Sequence, residues 1–295
     1  MASPRGPAAG VDVPRLAVRS GAVTGHPEPS ASSGAPAGTT AAGGPSLPPD
    51  PPAALVRRWA IAVAGLAAAK LVSLVEPTGL LAANLAGVAA VLFVAVPDGR
   101  LRARGEGWDA YGLPWEGAAS AGTWRAWGRG ALAAALACAV IFPAFAALFW
   151  AFSRALPSLP PALAHALAPY GPPGMLRLRA PPSLAWQVPI QLLVVALPEE
   201  LFYRGWMQTS WARSRPGRGV TVLGARLGAG FVATQVLFAL GHLVVWRPWR
   251  LGTFFPGLVL GWLRERTGSV AAPVVLHAAS NLFLAALEAS FYGGP

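Results

Sequence analysis

Glu199 and Glu200 stand side by side in an otherwise apolar run, and Arg204 follows four residues after Glu200. A charged side chain in hydrocarbon costs about 2.5–3.5 kcal/mol on insertion scales, so three together need a reason. At helical spacing Glu200 and Arg204 share a face and can pair, which lowers the cost of both. Glu199 points about 100° away from Glu200 and has no such partner. Tyr203, four residues on, shares its face and is positioned to hydrogen-bond to it. A carboxylate without a counter-charge, held away from water, suits general acid or base work.

Two other apolar runs carry matching polar groups. Phe238 and His242 lie four residues apart, with Gln235 on the same stripe two turns from His242. His277 and Asn281 repeat the i, i+4 spacing, with Ser280 between them. Helices facing one another in a bundle can aim such groups at one polar cavity. Hydrolysis of a peptide bond needs an activated water and donors for the tetrahedral oxyanion. Glu199 with His242 could polarise the water, and His277 with Asn281 could donate to the oxyanion. A divalent metal held by Glu199, His242 and His277 is a competing use of the same groups, although no H-E-x-x-H helix is present. An ion or solute pathway and plain interhelical glue also stay open on these residues alone.

The elements that must position these groups are transmembrane helices. Of 295 residues, 54% are hydrophobic and 12% charged, about half the globular norm for charge. Mean hydropathy is +0.49. This excludes a disordered chain and argues against a soluble enzyme. Apolar runs occur near 56–75, 79–97, 129–152, 185–207, 227–246, 251–263 and 270–291. The expected fold is therefore an all-α polytopic bundle of about seven spans, with its polar site inside. The sixth run is short and reads as tilted or partly re-entrant. Residues 1–53, rich in Pro, Ala and Gly, read as a disordered cytosolic tail containing His26. Residues 54–184 form the N-terminal helices and loops, and 185–291 the catalytic core. The stretch 98–128 reads as a polar loop, and 154–183 as a Pro-rich loop containing His165. Cys138, the single cysteine, reads as a small apolar residue and allows no intrachain disulfide.

The net charge of +11 does not point to nucleic acid, because the basic residues sit between apolar runs rather than along a soluble face. Counted over seven spans, 16 of the 23 basic residues fall on the side holding the tail, the 98–129 loop, the 213–226 loop and Arg264/Arg266. The positive-inside rule puts that side in the cytosol. Abundant Ala, Gly, Pro and Arg fit a GC-rich bacterial genome, hence a multi-pass protein of the bacterial inner membrane.

Glu199-Glu200-x-x-x-Arg204, Phe238-x-x-x-His242 and His277-x-x-x-Asn281 resemble, in order, the three motifs of the CPBP family. This is the type II CAAX prenyl endopeptidase and bacteriocin-processing family of intramembrane proteases. The surrounding "LPEELFYRGWMQ", "LFALGHL" and "GLVLGWLRERTGSVAAPVVLHAASNLF" agree, and the likeness covers about residues 185–285. It implies an all-helical membrane fold and an endopeptidase of the glutamic type, a family formerly assigned as metalloproteases. By that resemblance Glu199 and His242 activate water, His277 and Asn281 stabilise the oxyanion, Glu200 and Arg204 support the site, and no metal or other cofactor is required. The implied partners are the lipid bilayer and a membrane protein or peptide substrate. Relatives process peptides, confer bacteriocin immunity or remove C-terminal sorting tails; a non-catalytic immunity or scaffold protein and a proton-coupled transporter are the alternatives. On a simple seven-span topology, Glu199 and His242 fall at different depths, so the ends of spans four and five must be shifted.

Overall fold

In lipid a backbone must satisfy its own polar groups, and a helix does so within one segment. Every expected apolar run lies on helix. The computed structural model describes residues 48–167, 176–217 and 219–292; His26 and all but the last residues of the expected tail lie outside them. The helices are α1 (Pro52–Val72), α2 (Leu80–Ala83), α3 (Leu85–Arg104), α4 (Ala121–Ala155) and α5 (Pro161–Ala166). They continue as α6 (Leu184–Ser214), α7 (Ala229–Gly241), α8 (Phe254–Thr267) and α9 (Ala271–Tyr292).

Several boundaries differ from expectation. The last residues assigned to the expected tail belong to the fold, since Asp50 is buried against Arg100 at 2.9 Å and α1 starts at Pro52. Helix α3 runs through Pro97 to Arg104, and Gly105 closes it at φ 67°, the left-handed conformation glycine adopts without strain. Helix α4 starts at Ala121, where the Ser120 side chain accepts from the Gly122 amide. The expected 98–128 loop therefore shrinks to 105–120. His165 lies on the short helix α5 rather than in a loop. Cys138 is half-buried on α4 among apolar neighbours. Between α6 and α7 an antiparallel hairpin pairs β1 (Val220–Val222) with β2 (Ala225–Leu227). Its two-residue turn, Leu223 and Gly224, has φ of 47° and 79°, as tight hairpins require.

Among the described residues three helical segments are long and apolar enough to cross a membrane: Ala121–Ser158, Leu184–Ser214 and Ala271–Tyr292. Helices α7 and α8, with 13 and 14 residues, are only about 20 Å long at 1.5 Å per residue. The surface is apolar where a soluble protein's would be polar. Leu132, Leu136, Val140 and Leu148 of α4 are exposed, as are Leu193 and Phe255, whereas Glu200, Arg204, Gln208 and Gln235 are buried. Such an arrangement suits a lipid solvent, because lipid accepts apolar side chains at no cost and leaves polar groups to the interior.

Helix α4 packs along α9, α1 along α3, and α7 along α8, while α6 touches α3, α7, α8 and α9. Phe93 of α3, Phe202, Tyr203 and Trp206 of α6 and Phe238 of α7 join in edge-on and tilted ring contacts with centroids 4.8–5.6 Å apart. The Arg-rich segments gather at one end, as the charge count expects. Arg100 and Arg104 bind Asp50, Arg213 binds Glu106, and Arg264 donates to the Tyr111 carbonyl. Tyr111 donates to Glu106 at 2.5 Å. Burial, and then the carboxylate beside it, push its hydroxyl above the usual tyrosine range.

The α4–α9 contact leaves no room at Gly130. A methyl group there would lie 2.7 Å from Ala271 Cβ and 2.9 Å from the Ala272 nitrogen, whereas Gly128 has open space. Gly130→Leu is expected to destabilise the protein by about 1–3 kcal/mol, as overpacking does. Thermal unfolding in detergent checks this, with Gly128→Leu unchanged.

Candidate active site

The site is organised by a change of helical pitch in α6. Hydrogen bonds run i to i+5 over Ile190–Ala196 and again over Leu201–Gln208, with an ordinary α-helical stretch, Leu197–Glu200, between them. Pro198 stands in that stretch and has no amide to donate, which loosens the ladder just before the two glutamates. Wide turns of this kind re-aim side chains and are frequent at functional sites. Here Glu199 lines a cavity, while Glu200 turns into the protein and is fully buried.

The cavity has a volume of about 460 Å³. Glu199 of α6, His242 just past the end of α7, and His277 and Asn281 of α9 all line it. The four residues expected to do the chemistry are therefore brought together. The depth mismatch disappears because α7 is short and α6 is 31 residues long. His242 thus sits at the end of its helix, opposite the middle of α6.

The donors and acceptors are largely fixed. Glu199 Oε2 is buried with no hydrogen-bond partner. The expected Tyr203–Glu199 bond does not form; the Tyr203 hydroxyl accepts instead from Trp59 Nε1 at 3.3 Å. His242 Nδ1 lies 2.9 Å from the Phe238 carbonyl. A carbonyl only accepts, so Nδ1 carries the proton, and Nε2 of the neutral ring is an acceptor. His277 Nδ1 lies 2.7 Å from Glu200 Oε1 and donates to it. Its Nε2 is then a donor whenever the ring is protonated, with the Glu200 carboxylate as counter-charge. Asn281 donates to Gln191 Oε1 at 2.8 Å, which fixes the amide and leaves its second N–H.

Behind the cavity lies the support. Arg204 Nη1 reaches Glu200 Oε1 at 2.9 Å. Its Nη2 reaches Gln235 Oε1 at 2.9 Å and the Gly257 carbonyl at 3.3 Å. The guanidinium stacks 4.1 Å above the Phe238 ring. Gln235 bonds on to Gln208, and Gln208 to Glu265. Gln191, Gln208 and the glycines of α8 complete this support, and no local spacing marks the two glutamines for it. A signal for the glycines existed, since Gly257 and Gly261 form a small-x-x-x-small pattern. A methyl group on Gly261 would come within 2.6 Å of Gln235 Nε2, and one on Gly257 within 3.3 Å of Arg204 Nη2.

Among the described residues no three His, Cys, Asp or Glu side chains are grouped to hold a metal ion. His242 Nδ1 and His277 Nδ1 are held by the Phe238 carbonyl and the Glu200 carboxylate, which orients both rings and leaves each Nε2 uncommitted.

Removing Arg204 would leave Glu200 buried with only His277 opposite it. Arg204→Ala is expected to cost about 3–5 kcal/mol, the effect of breaking a buried pair from one side. Thermal unfolding of the detergent-solubilised protein measures it, and a change below about 1 kcal/mol would assign the pair no structural weight.

Residues 181–283 match the family described as type II CAAX prenyl endopeptidase Rce1-like. The matched segment runs from just before α6 into α9 and contains Glu199, Glu200, Arg204, His242, His277 and Asn281. No curated protein and no solved structure matches the chain. The apolar helices and this match together support a membrane protein with a segment similar to the CAAX-protease type. Through residues 181–283, less than half of its length, the chain is similar to the Rce1-like family of type II CAAX prenyl endopeptidases.

Proposed function

We propose that this protein is a glutamic-type intramembrane endopeptidase, with residues 185–291 as its catalytic part. The single observation that carries this reading is the convergence of an unpartnered Glu199 carboxylate, His242, His277 and Asn281 on one cavity. A water held there lies within reach of two acceptors. Glu199 takes one proton from it while His242 Nε2 accepts a hydrogen bond from the other O–H. The water oxygen attacks the peptide carbonyl carbon, and the charge that develops on the carbonyl oxygen meets N–H groups of His277 and Asn281. The C–N bond then breaks, and Glu199 returns its proton to the leaving nitrogen. The product acid then loses its remaining proton, first hydrogen-bonded to His242 Nε2, to that ring or to water, leaving a carboxylate on one product and an amine on the other.

The substrate in this reading is a membrane protein or peptide that enters the bundle from the bilayer; removal of a C-terminal sorting tail fits. The gathering of the Arg-rich segments at one end supports a cytosolic placement of that end, in the inner membrane of a bacterium.

Wild-type and variant proteins reconstituted with the membrane proteome of the source cell, followed by mass spectrometry of new peptide termini, test the mechanism. Glu199→Gln and His242→Ala are expected to lower cleavage by about 10²–10⁴-fold at unchanged expression. Unchanged cleavage in both would remove the hydrolytic reading and leave a non-catalytic scaffold. Asn281→Ala is expected to reduce kcat by about 10²–10³-fold with little change in KM, since an oxyanion donor acts in the transition state. Cleavage is also expected to survive exhaustive chelation; loss that zinc restores would replace the glutamic mechanism with a metal-dependent one.

A further inference from the structure

A second cavity, of about 360 Å³, lies at the Arg-rich end of the bundle, between the C-terminal end of α6, the β1–β2 hairpin and the start of α7. It shares no lining residue with the first. Arg215 and Arg226 line it, both exposed at its rim. Neither is ion-paired among the described residues. Ala229 and Gly230, the first turn of α7, form its floor. Helix α7 has 13 residues, no side-chain cap and no acidic residue in its first turn. The Phe231 and Val232 amides turn back to the Gly228 carbonyl. The Ala229 and Gly230 amides are left for an acceptor from outside, at the positive end of the helix dipole.

An independent observation points the same way. Trp211 lines this cavity at 9% exposure, and its Nε1 is buried with no hydrogen-bond partner. A methyl group on Gly230 would come within 3.0 Å of Trp211 Cδ1, the ring atom bonded to Nε1. The nearer ring atoms are Cγ at 2.8 Å and Cδ1, so the indole packs by its pyrrole edge on the first turn of α7 and brings its unpartnered N–H to that side of the cavity. A buried indole N–H ordinarily has a partner. The one acid in the lining, Glu265, is engaged by the Gln208 amide at 2.8 Å.

Two guanidinium groups, two helix-end amides and an orphan indole N–H outnumber the acceptors of the lining, Glu265 and Gln208, whose Oε1 atoms already take side-chain hydrogen bonds. We infer that this cavity binds a phosphate group, carried by a phospholipid head or free in solution. Its position at the end where the positive segments gather suits the head-group layer. This site stands apart from the proposed peptidase chemistry and does not depend on it.

Thermal unfolding of the full chain in a neutral detergent tests the inference. The probes are a short-chain phosphatidylglycerol, inorganic phosphate, and a diacylglycerol of the same chain length as the phosphate-free control, with chloride holding ionic strength constant. A saturable rise in Tm with phosphatidylglycerol alone identifies a lipid head group, and a rise with inorganic phosphate as well identifies the free anion. Either rise is expected to need about tenfold more ligand in Arg226→Ala and in Trp211→Phe, each of which removes one donor to a charged acceptor. No rise with either phosphate probe, or equal half-saturation in wild type and both variants, overturns the site.

Discussion

The buried guanidinium of Arg204 is the constraint to which the rest of the bundle answers. A full positive charge inside a low-dielectric protein needs a counter-charge in contact and partners for its donors; here both terminal nitrogens are matched and Nε is not. Glu200 supplies the counter-charge, Gln235 and the Gly257 carbonyl take the second nitrogen, and the Phe238 face covers the plane. These partners come from α6, α7 and α8, so satisfying one side chain fixes three helices relative to one another. His277 then joins from α9 through the same Glu200 oxygen. The catalytic geometry proposed for the cavity is thus set largely from behind, by Glu200, Arg204 and Gln235, none of which lines it.

That arrangement separates two adjacent glutamates into different roles. Glu200 is spent on structure, because both Arg204 and His277 hold its Oε1. Glu199 faces the cavity with one oxygen unpartnered. The change of helical pitch on either side of Leu197–Glu200 accompanies this division. The small residues of α8 matter for the same reason, since a Cβ at Gly257 or Gly261 would displace the polar side chains that cross there.

The solvent shapes the whole molecule. Outward-facing leucines and valines on α4 would be an aggregation hazard in water, yet they match a lipid surface. The interior holds the polar network that a soluble protein would keep near its surface. Polar groups sequestered from lipid make strong, well-ordered contacts, and this is the setting in which a trapped water can be activated. The two cavities divide the molecule by chemistry. One is lined by an acid and imidazoles within the bundle, and the other gathers unmatched donors at the Arg-rich end.

Composition and periodicity by themselves determined that the chain is an all-helical membrane protein, because long apolar runs have few ways to satisfy their backbone in lipid. The spacing of Glu200 with Arg204, and of His277 with Asn281, was enough to place each pair on one face, since helical geometry is local. Local spacing failed for Tyr203, whose hydroxyl goes to Trp59 of α1, 144 residues away, rather than to Glu199. It also missed Gln191, which orients Asn281 across 90 residues, and the β1–β2 hairpin, whose strands are too short to show a period. Only the tertiary structure decided that the face carrying Glu199 opens on a cavity shared with His242, His277 and Asn281. It likewise decided that His242, at the end of a short helix, meets the middle of a long one. Those outcomes depend on helix ends, pitch changes and contacts between distant segments, none of which is written in local spacing.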